Sequence, residues 1–502
     1  MLKTIYRNIT SLGGLCLFYV LVVCLTLVMN IPNAQMKTVQ KRAVRISLSR
    51  RIDHLLTPFQ KYANLGIIIQ SMHNGKIIYK KNADHFFVPA SMLKLFTATA
   101  SLLYFGPDFH FSTILFAEKK PDALGLIRGN LLLHFDADPT LTQDDLEALI
   151  IHLKKNNVSE ITGNLYLDNT QFDQVFYGPG WMWDELNLCY AAPLSSIIID
   201  KNCFYFYLAP GADVGVPAEL VGLQSGQLIS VMSTVLTQKT SKKCKLYLEA
   251  SNRNSYYLQG CVKLNSQPKE MSLAIKNVDL YAKSLVKSLL NKYGIKLHGR
   301  VILGKPDQVP SKSLVTHYSL PLSFVLSDML KNSDNMIADA LYKKLATSYY
   351  HKPATWADGK RAIRAVLADK ANIDFEHMSV VDGAGLSRYN LVTPRQLSKL
   401  LYYIYHTPDV AKFILPALPK AGIDGTLEKR MTNIAKLKDH DILVRAKTGS
   451  MTGVSGLAGY VKTKEGTVLS FVISINGFLK HDKKYQHLED NLVMMLLKLN
   501  KL

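Results

Sequence analysis

Three short polar motifs, widely separated along the chain, constrain the fold more than any other feature: Ser91-Met92-Leu93-Lys94, Ser333-Asp334-Asn335 and Lys447-Thr448-Gly449. They can build one site only if the segments that carry them converge, and their order lends each weight from the other two. Convergence requires one domain made from both ends of the chain, with the interior looped out as an insertion from about Phe105 to about Leu320. The ends carry matching signals. Leu65 to Met72 and Lys76 to Lys81 read as strands joined around Asn74-Gly75, and Gly456 to Val461 and Thr467 to Ser474 as strands around Glu465-Gly466. One sheet shared by both ends is expected, with the helix that carries Ser91 packed against it.

Pro89 to Ala100 is apolar and helix-compatible, which predicts Ser91 in the first turn of a mostly buried helix, on one face with Lys94. A serine hydroxyl is a weak nucleophile. A partly dehydrated lysine amine beside it, with other cations near, loses its proton and serves as its base. At a helix N-terminus the Ser91 N–H is also a spare donor for a developing oxyanion. The pattern alone is weak, because Ser266-Gln267-Pro268-Lys269 and Ser284-Leu285-Val286-Lys287 fit it too.

Ser333-Asp334-Asn335 precedes an amphipathic helical run. Ser333 would relay a proton toward a leaving amine and the Asn335 amide would hold a peptide group, whereas the plainer alternative makes Ser333 or Asp334 a helix cap. The same spacing recurs idly in Ser474-Ile475-Asn476. In the third motif Gly449 would let a ligand lie against the strand, Lys447 would supply fixed positive charge, and the Ser450 N–H would be the second oxyanion donor. The alternative is a solvated lysine on a Gly-rich hairpin. All three motifs in order favour a single acylating serine site.

Across nearly all of the chain after its first segment, the sequence resembles the class C low-molecular-mass penicillin-binding proteins, D-alanyl-D-alanine carboxypeptidases and endopeptidases of the penicillin-binding protein 4 type. The resemblance rests on Val88 to Lys94, Asp138-Pro139-Thr140-Leu141-Thr142, Gly180-Trp181-Met182-Trp183-Asp184, Ala192-Pro193, Ser333 to Asp339, Asp382 to Leu391, Asp424-Gly425-Thr426-Leu427 and Lys447 to Ser450. It implies an α/β (α+β) catalytic domain of the serine β-lactamase/DD-peptidase kind with a large two-part insertion. Its domains would be 36–106 with 320–502, an inserted domain at 107–203 with 268–319, and a β-rich insert at 204–267. The resemblance implies Ser91 as nucleophile, Lys94 as base, Ser333 as proton shuttle, Asn335 as substrate anchor and Lys447 as the cation on the carboxylate side. Thr448 and Gly449 would line the substrate, the N–H groups of Ser91 and Ser450 would hold the oxyanion, and Asp184, Tyr190 and Arg388 would contact a diaminopimelate side chain. Thr452 stands where some relatives carry a larger amide side chain. Stem peptides of peptidoglycan are the implied partners, with β-lactams as inhibitors and no cofactor or metal. A β-lactamase-like hydrolase would use the same constellation without so large an insertion, and a membrane-anchored sensor or wall-binding scaffold would bind without turnover.

The remaining features set bounds. A chain of 502 residues with an even apolar share and no low-complexity tract is a globular protein of two or three domains. A basic Met1 to Arg7, an apolar Leu12 to Met29 and Pro32-Asn33-Ala34 predict that 1–35 is a signal peptide or a membrane anchor, and hence export to the periplasm. Cys16 and Cys24 fall within it. The other four cysteines permit three pairings, of which proximity favours Cys189 with Cys203 and Cys244 with Cys261. Their spacing argues against zinc. Lysine and arginine total 60 against 39 acidic residues, a net charge of +21. That field suits anionic wall carboxylates or lipid headgroups, while the absence of an aromatic-basic motif argues against nucleic acid.

Overall fold

The structure, a computed structural model, describes residues 48–223, 228–240, 244–434, 444–479 and 483–499. The expected leader at 1–35, with Cys16 and Cys24, lies outside the described residues. Among the described residues no helix is long and apolar enough to cross a membrane.

Both ends of the chain meet in one antiparallel sheet, in the order Val444–Met451, Val454–Lys462, Val468–Asn476, Asn64–Ser71, Ile77–Lys81. The turns that the sequence marks make its hairpins. Gly75 and Gly466 take φ of +69° and +82°, conformations a side chain disfavours. Between them, Val468–Asn476 lies against Asn64–Ser71. The sheet is buried on both faces, which explains why its inner strands are mostly apolar or small along their length rather than alternating. One face carries the Lys483–Leu497 helix with Leu48, Ile52 and Leu56. Against the other packs Pro394–His406, and the core continues beyond it through Lys94–Phe105, Asn335–Tyr350 and Trp356–Ala371.

The interior of the chain builds separate sheets. Val301–Leu303, Leu165–Asp168, Leu131–Phe135, Ser112–Ala117 and Lys312–Tyr318 form a mixed five-stranded sheet, whose core includes residues of the helices Gln143–Lys155 and Val278–Lys292. The first of these helices opens on a capping box between Thr142 and Asp145. Between Cys203 and Ala274 lie a three-stranded and a four-stranded sheet around their own small core of Phe206, Tyr256 and Leu258. The disulfides join Cys189 to Cys203 and Cys244 to Cys261, the pairing that proximity favours.

Candidate active site

Ser91 sits on a sharper turn than its apolar surroundings predict. A 3-10 turn spans Ala90–Leu93, and the α-helix begins only at Lys94. The cause is Ala90, whose φ of +46° is left-handed and disfavoured for a residue with a Cβ. Its surroundings hold it there. The Val88 N–H donates to Asn476 Oδ1 at 2.7 Å, and Asn476 Nδ2 donates back to the Val88 carbonyl at 3.2 Å. Gly385 packs so closely that a Cβ there would stand 1.9 Å from the Ala90 carbonyl. Asn476, whose spacing looks idle in the sequence, thus clamps the approach to Ser91. Gly449 has a similar task, since a Cβ there would lie 2.7 Å from the Pro89 carbonyl. That face of Gly449 therefore admits the turn of Ser91, not a ligand.

The second motif divides its labour. The Leu322–Asn332 helix ends at Ser333 in a left-handed conformation, φ 59° and ψ 36°. Asp334 then caps the next helix, its Oδ1 accepting from the Ile337 N–H at 2.9 Å, and pairs with Lys201 at 2.6 Å. The capping alternative is right for Asp334, and Ser333 and Asn335 on either side of it contact the two motif lysines. Asn335 Nδ2 donates to the Tyr190 carbonyl at 2.8 Å, which leaves Oδ1 to accept from Lys94 Nζ at 2.6 Å.

Lys94 is wholly buried, and its Nζ reaches Ser91 Oγ at 3.0 Å, Asn335 Oδ1 at 2.6 Å and the Ala384 carbonyl at 2.7 Å. Burial pulls its pKa down to about 8, against the opposing pull of Asp339, Asp382 and Asp334. Lys447 is equally buried, donating to Ser333 Oγ at 2.8 Å and to the Thr448 carbonyl at 3.1 Å. Burial pulls its proton affinity far down, and Lys94 adds to the effect. Two buried ammonium groups in one site oppose each other. Lys447 is therefore less a fixed surface charge than a hydrogen-bond donor behind Ser333.

Strand geometry directs the Ser450 N–H. On the outer edge of Val444–Met451, the Ala446 N–H donates to the Pro419 carbonyl at 3.0 Å and the Ala421 N–H to the Val444 carbonyl at 3.2 Å. Backbone groups alternate with a period of two, so those of Thr448 and Ser450 point to the same edge, beyond the Pro419–Ala421 pairing. Thr448 Oγ1 contacts Thr426 Oγ1 at 2.8 Å on that side.

Asp184 and Arg388 come together with Tyr190 at a rim. The Arg388 N–H donates to the Gly180 carbonyl at 3.3 Å, and buried Asp382 ties the two segments by accepting from Trp181 Nε1 at 3.0 Å and the Ser387 N–H at 2.6 Å. Asp184 is exposed on the 3-10 turn Trp183–Glu185. Glu185 joins them, its carboxyl pushed up by partial burial and by Asp184, and drawn down by Arg388 and Tyr190. Burial and Glu185 push the Tyr190 phenol up to about 12. Glu185 carries no signal in the sequence beyond its adjacency to Asp184. The Ala384 and Tyr190 carbonyls carry none, since any residue would supply them.

Comparison with known proteins identifies relatives of the whole arrangement. Residues 48–499 match the D-Ala-D-Ala carboxypeptidase 3 (S13) family. The chain is 35% identical to the D-alanyl-D-alanine carboxypeptidase DacB of Haemophilus influenzae over 427 residues, 84% of this chain and 87% of that one. It is 29% identical to a D-alanyl-D-alanine carboxypeptidase of an Actinomadura species, over 86% of this chain and 81% of the relative. The crystal structure of penicillin binding protein 4 (dacB) from H. influenzae superposes with a TM-score of 0.80 at 33% identity, covering 89% of this chain and 99% of the other. The same protein complexed with a β-lactam gives 0.75 at 32% identity, with the same coverage.

Proposed function

The chain belongs to the D-Ala-D-Ala carboxypeptidase 3 (S13) family, and on that premise we propose that it is a serine carboxypeptidase removing the terminal D-alanine from peptidoglycan stem peptides. The observation that carries this reading is the threefold contact of the Lys94 amine. A neutral amine has two N–H groups and one lone pair. Asn335 Oδ1 and the Ala384 carbonyl take the hydrogens, so the lone pair faces Ser91 Oγ at 3.0 Å. Lys94 removes the hydroxyl proton as Ser91 attacks the carbonyl between the two terminal D-alanines. The N–H groups of Ser91 and Ser450 hold the oxyanion. Ser333, with Lys447 Nζ at 2.8 Å, passes a proton to the departing D-alanine. Water then releases the acyl group from Ser91. The substrate carboxylate, bound beside Thr448, would favour the protonated form of Lys447 while it is in place.

The reading extends to D-alanyl-diaminopimelate crosslinks cut by the same chemistry, with Asp184, Tyr190 and Arg388 meeting the diaminopimelate side chain. It includes covalent trapping by penicillin, export through the 1–35 segment to the periplasm, and the division into a catalytic domain with two inserts. The large insertion disfavours a dedicated β-lactamase, and the assembled Lys94, Ser333 and Lys447 disfavour a scaffold without turnover.

The test is to incubate the protein from about Gln35 onward with a crosslinked, diaminopimelate-containing muropeptide, following free D-alanine and uncrosslinked product by mass. Both are expected, and both should vanish in Ser91→Ala. Release of neither by the unaltered protein would overturn the reading.

A further inference from the structure

The Lys94 amine rests on a turn that is itself held from beneath. Its third contact is the Ala384 carbonyl. The N–H groups of Gly383 and Ala384 both donate to Asp339 Oδ1, at 2.7 and 3.0 Å, and Thr97 Oγ1 donates to the Gly383 carbonyl at 2.7 Å. Asp339 lies one helical turn beyond Asn335, so the same face of one helix supplies both the side-chain acceptor for Lys94 and the anchor of its main-chain acceptor. Gly383 is required there, because a Cβ would stand 2.5 Å from the Ala338 carbonyl.

Asp339 is 1% exposed, and its second oxygen, Oδ2, has no hydrogen-bond partner among the described residues. A carboxylate held only to brace a turn would be an expensive choice, since an asparagine oxygen accepts the same two N–H groups. We propose that Asp339 is a positioning residue for acylation: it fixes the Gly383–Ala384 turn that holds the Lys94 amine, and its carboxyl shares the titration by which that amine becomes a base.

The charges around this pair are few. Asp339 and Asp334 belong to the Asn335–Tyr350 helix and its cap, Asp382 to the facing loop, and Lys447 to the Val444–Met451 strand. Lys343 and the buried Tyr342 phenol face Asp339 from its own helix. Asp339 is the first of the carboxylates that resist the loss of the Lys94 proton. Burial and Asp382 push its own carboxyl well up, and Lys94 opposes them. The two groups therefore titrate as a pair.

This inference rests on the reading of Ser91 as nucleophile and Lys94 as its base. The test compares Asp339→Asn, which keeps the acceptor and loses the charge, with Asp339→Glu, which keeps the charge and displaces the turn. The acylation rate with a fluorescent penicillin is followed against pH. In Asp339→Asn the acid limb should move about one unit to lower pH. In Asp339→Glu the limb should stay while the rate falls about tenfold or more. A folded Asp339→Asn protein with an unmoved limb overturns the proposal. Should that variant not fold, a limb displaced in Asp339→Glu overturns it, and an unmoved limb with a lowered rate supports it. The Lys94 titration read by NMR of 15N-lysine-labelled protein needs no turnover. A wild-type protein that fails to acylate would thus sink the functional reading, while the Lys94 titration in Asp339→Asn still decides the role of the charge.

Discussion

Asn335 and Tyr190 are joined through the Tyr190 main chain, whose carbonyl accepts from Asn335 Nδ2 at 2.8 Å. A carbonyl can only accept, so this contact decides which end of the Asn335 amide is NH2 and turns Oδ1 toward Lys94. The residue before Tyr190 is Cys189, bonded to Cys203 at the start of the Cys203–Ala209 strand. The disulfide therefore secures a carbonyl that orients a side chain in the site.

Removing that disulfide in a Cys189→Ala/Cys203→Ala protein should lower both stability and acylation. The bridge closes a sequence separation of 14 residues, for which loop-closure entropy gives about 3 kcal/mol. Urea unfolding would measure the first effect. The second is expected as a fall of about tenfold in the rate of labelling by fluorescent penicillin. Labelling at an unchanged rate would show that Tyr190 keeps its place without the bridge.

Asn335→Asp puts a negative charge directly against the Lys94 amine. An opposite charge favours the protonated lysine, so the acid limb of kcat/KM should move up by about one to two units. At neutral pH that is a rate about ten- to a hundredfold lower. A limb that stays in place or moves down would contradict the assignment of Lys94 as base.

In the unaltered protein, activity should rise with pH through about 8. Burial lowers the Lys94 pKa to that value, and the amine is a base only once deprotonated, so the rate falls on the acid side of it. A pH series of D-alanine release from a small pentapeptide checks the position of the limb. Activity that declines through this range would require a different base.

Two glycines separate backbone strain from disruption of the site. Gly385 and Gly106 have φ of +83° and +79°, but a Cβ at Gly385 would meet the Ala90 carbonyl at 1.9 Å whereas Gly106 has nothing within 4 Å. Gly106→Ala should cost about 1 to 3 kcal/mol and leave acylation intact. Gly385→Ala should cost about 2 to 4 kcal/mol and reduce acylation by about a hundredfold, because the turn that carries Ser91 must yield. Equal effects on acylation would mean that Gly385 does not brace that turn.

The residues that the structure gathers around Ser91 were legible in the sequence. Ser91, Lys94, Ser333, Asn335 and Lys447 are residue types that few other roles demand in that order, and the turns at Asn74-Gly75 and Glu465-Gly466 announced a sheet made from both ends. Proximity sufficed for the disulfides, since each bridge spans a short separation. What stayed hidden is the support. The carbonyls of Tyr190 and Ala384 carry no side-chain signature. Asp339 looks like any polar residue on an amphipathic helix until its burial is known, and the left-handed Ala90 reads as a helix former. The tight fit of Gly449 has its cause in Pro89, far away in sequence, so the residues around the glycine mark it without explaining it.

A sheet stitched from distant segments also sets a timetable for synthesis. The edge of Asn64–Ser71 that is later covered by Val468–Asn476 stays open while nearly the whole chain is made, although the hairpin partner Ile77–Lys81 is available early. Chains of this kind fold late, because the loop must close before the contacts that reward it exist. Ser91 leaves the ribosome long before Lys447, and the residues that clamp its turn, Gly385, Gly449 and Asn476, follow in between or later still. The groups gathered around Ser91 are thus incomplete until the last strands are in place, and an unfinished chain has no assembled site.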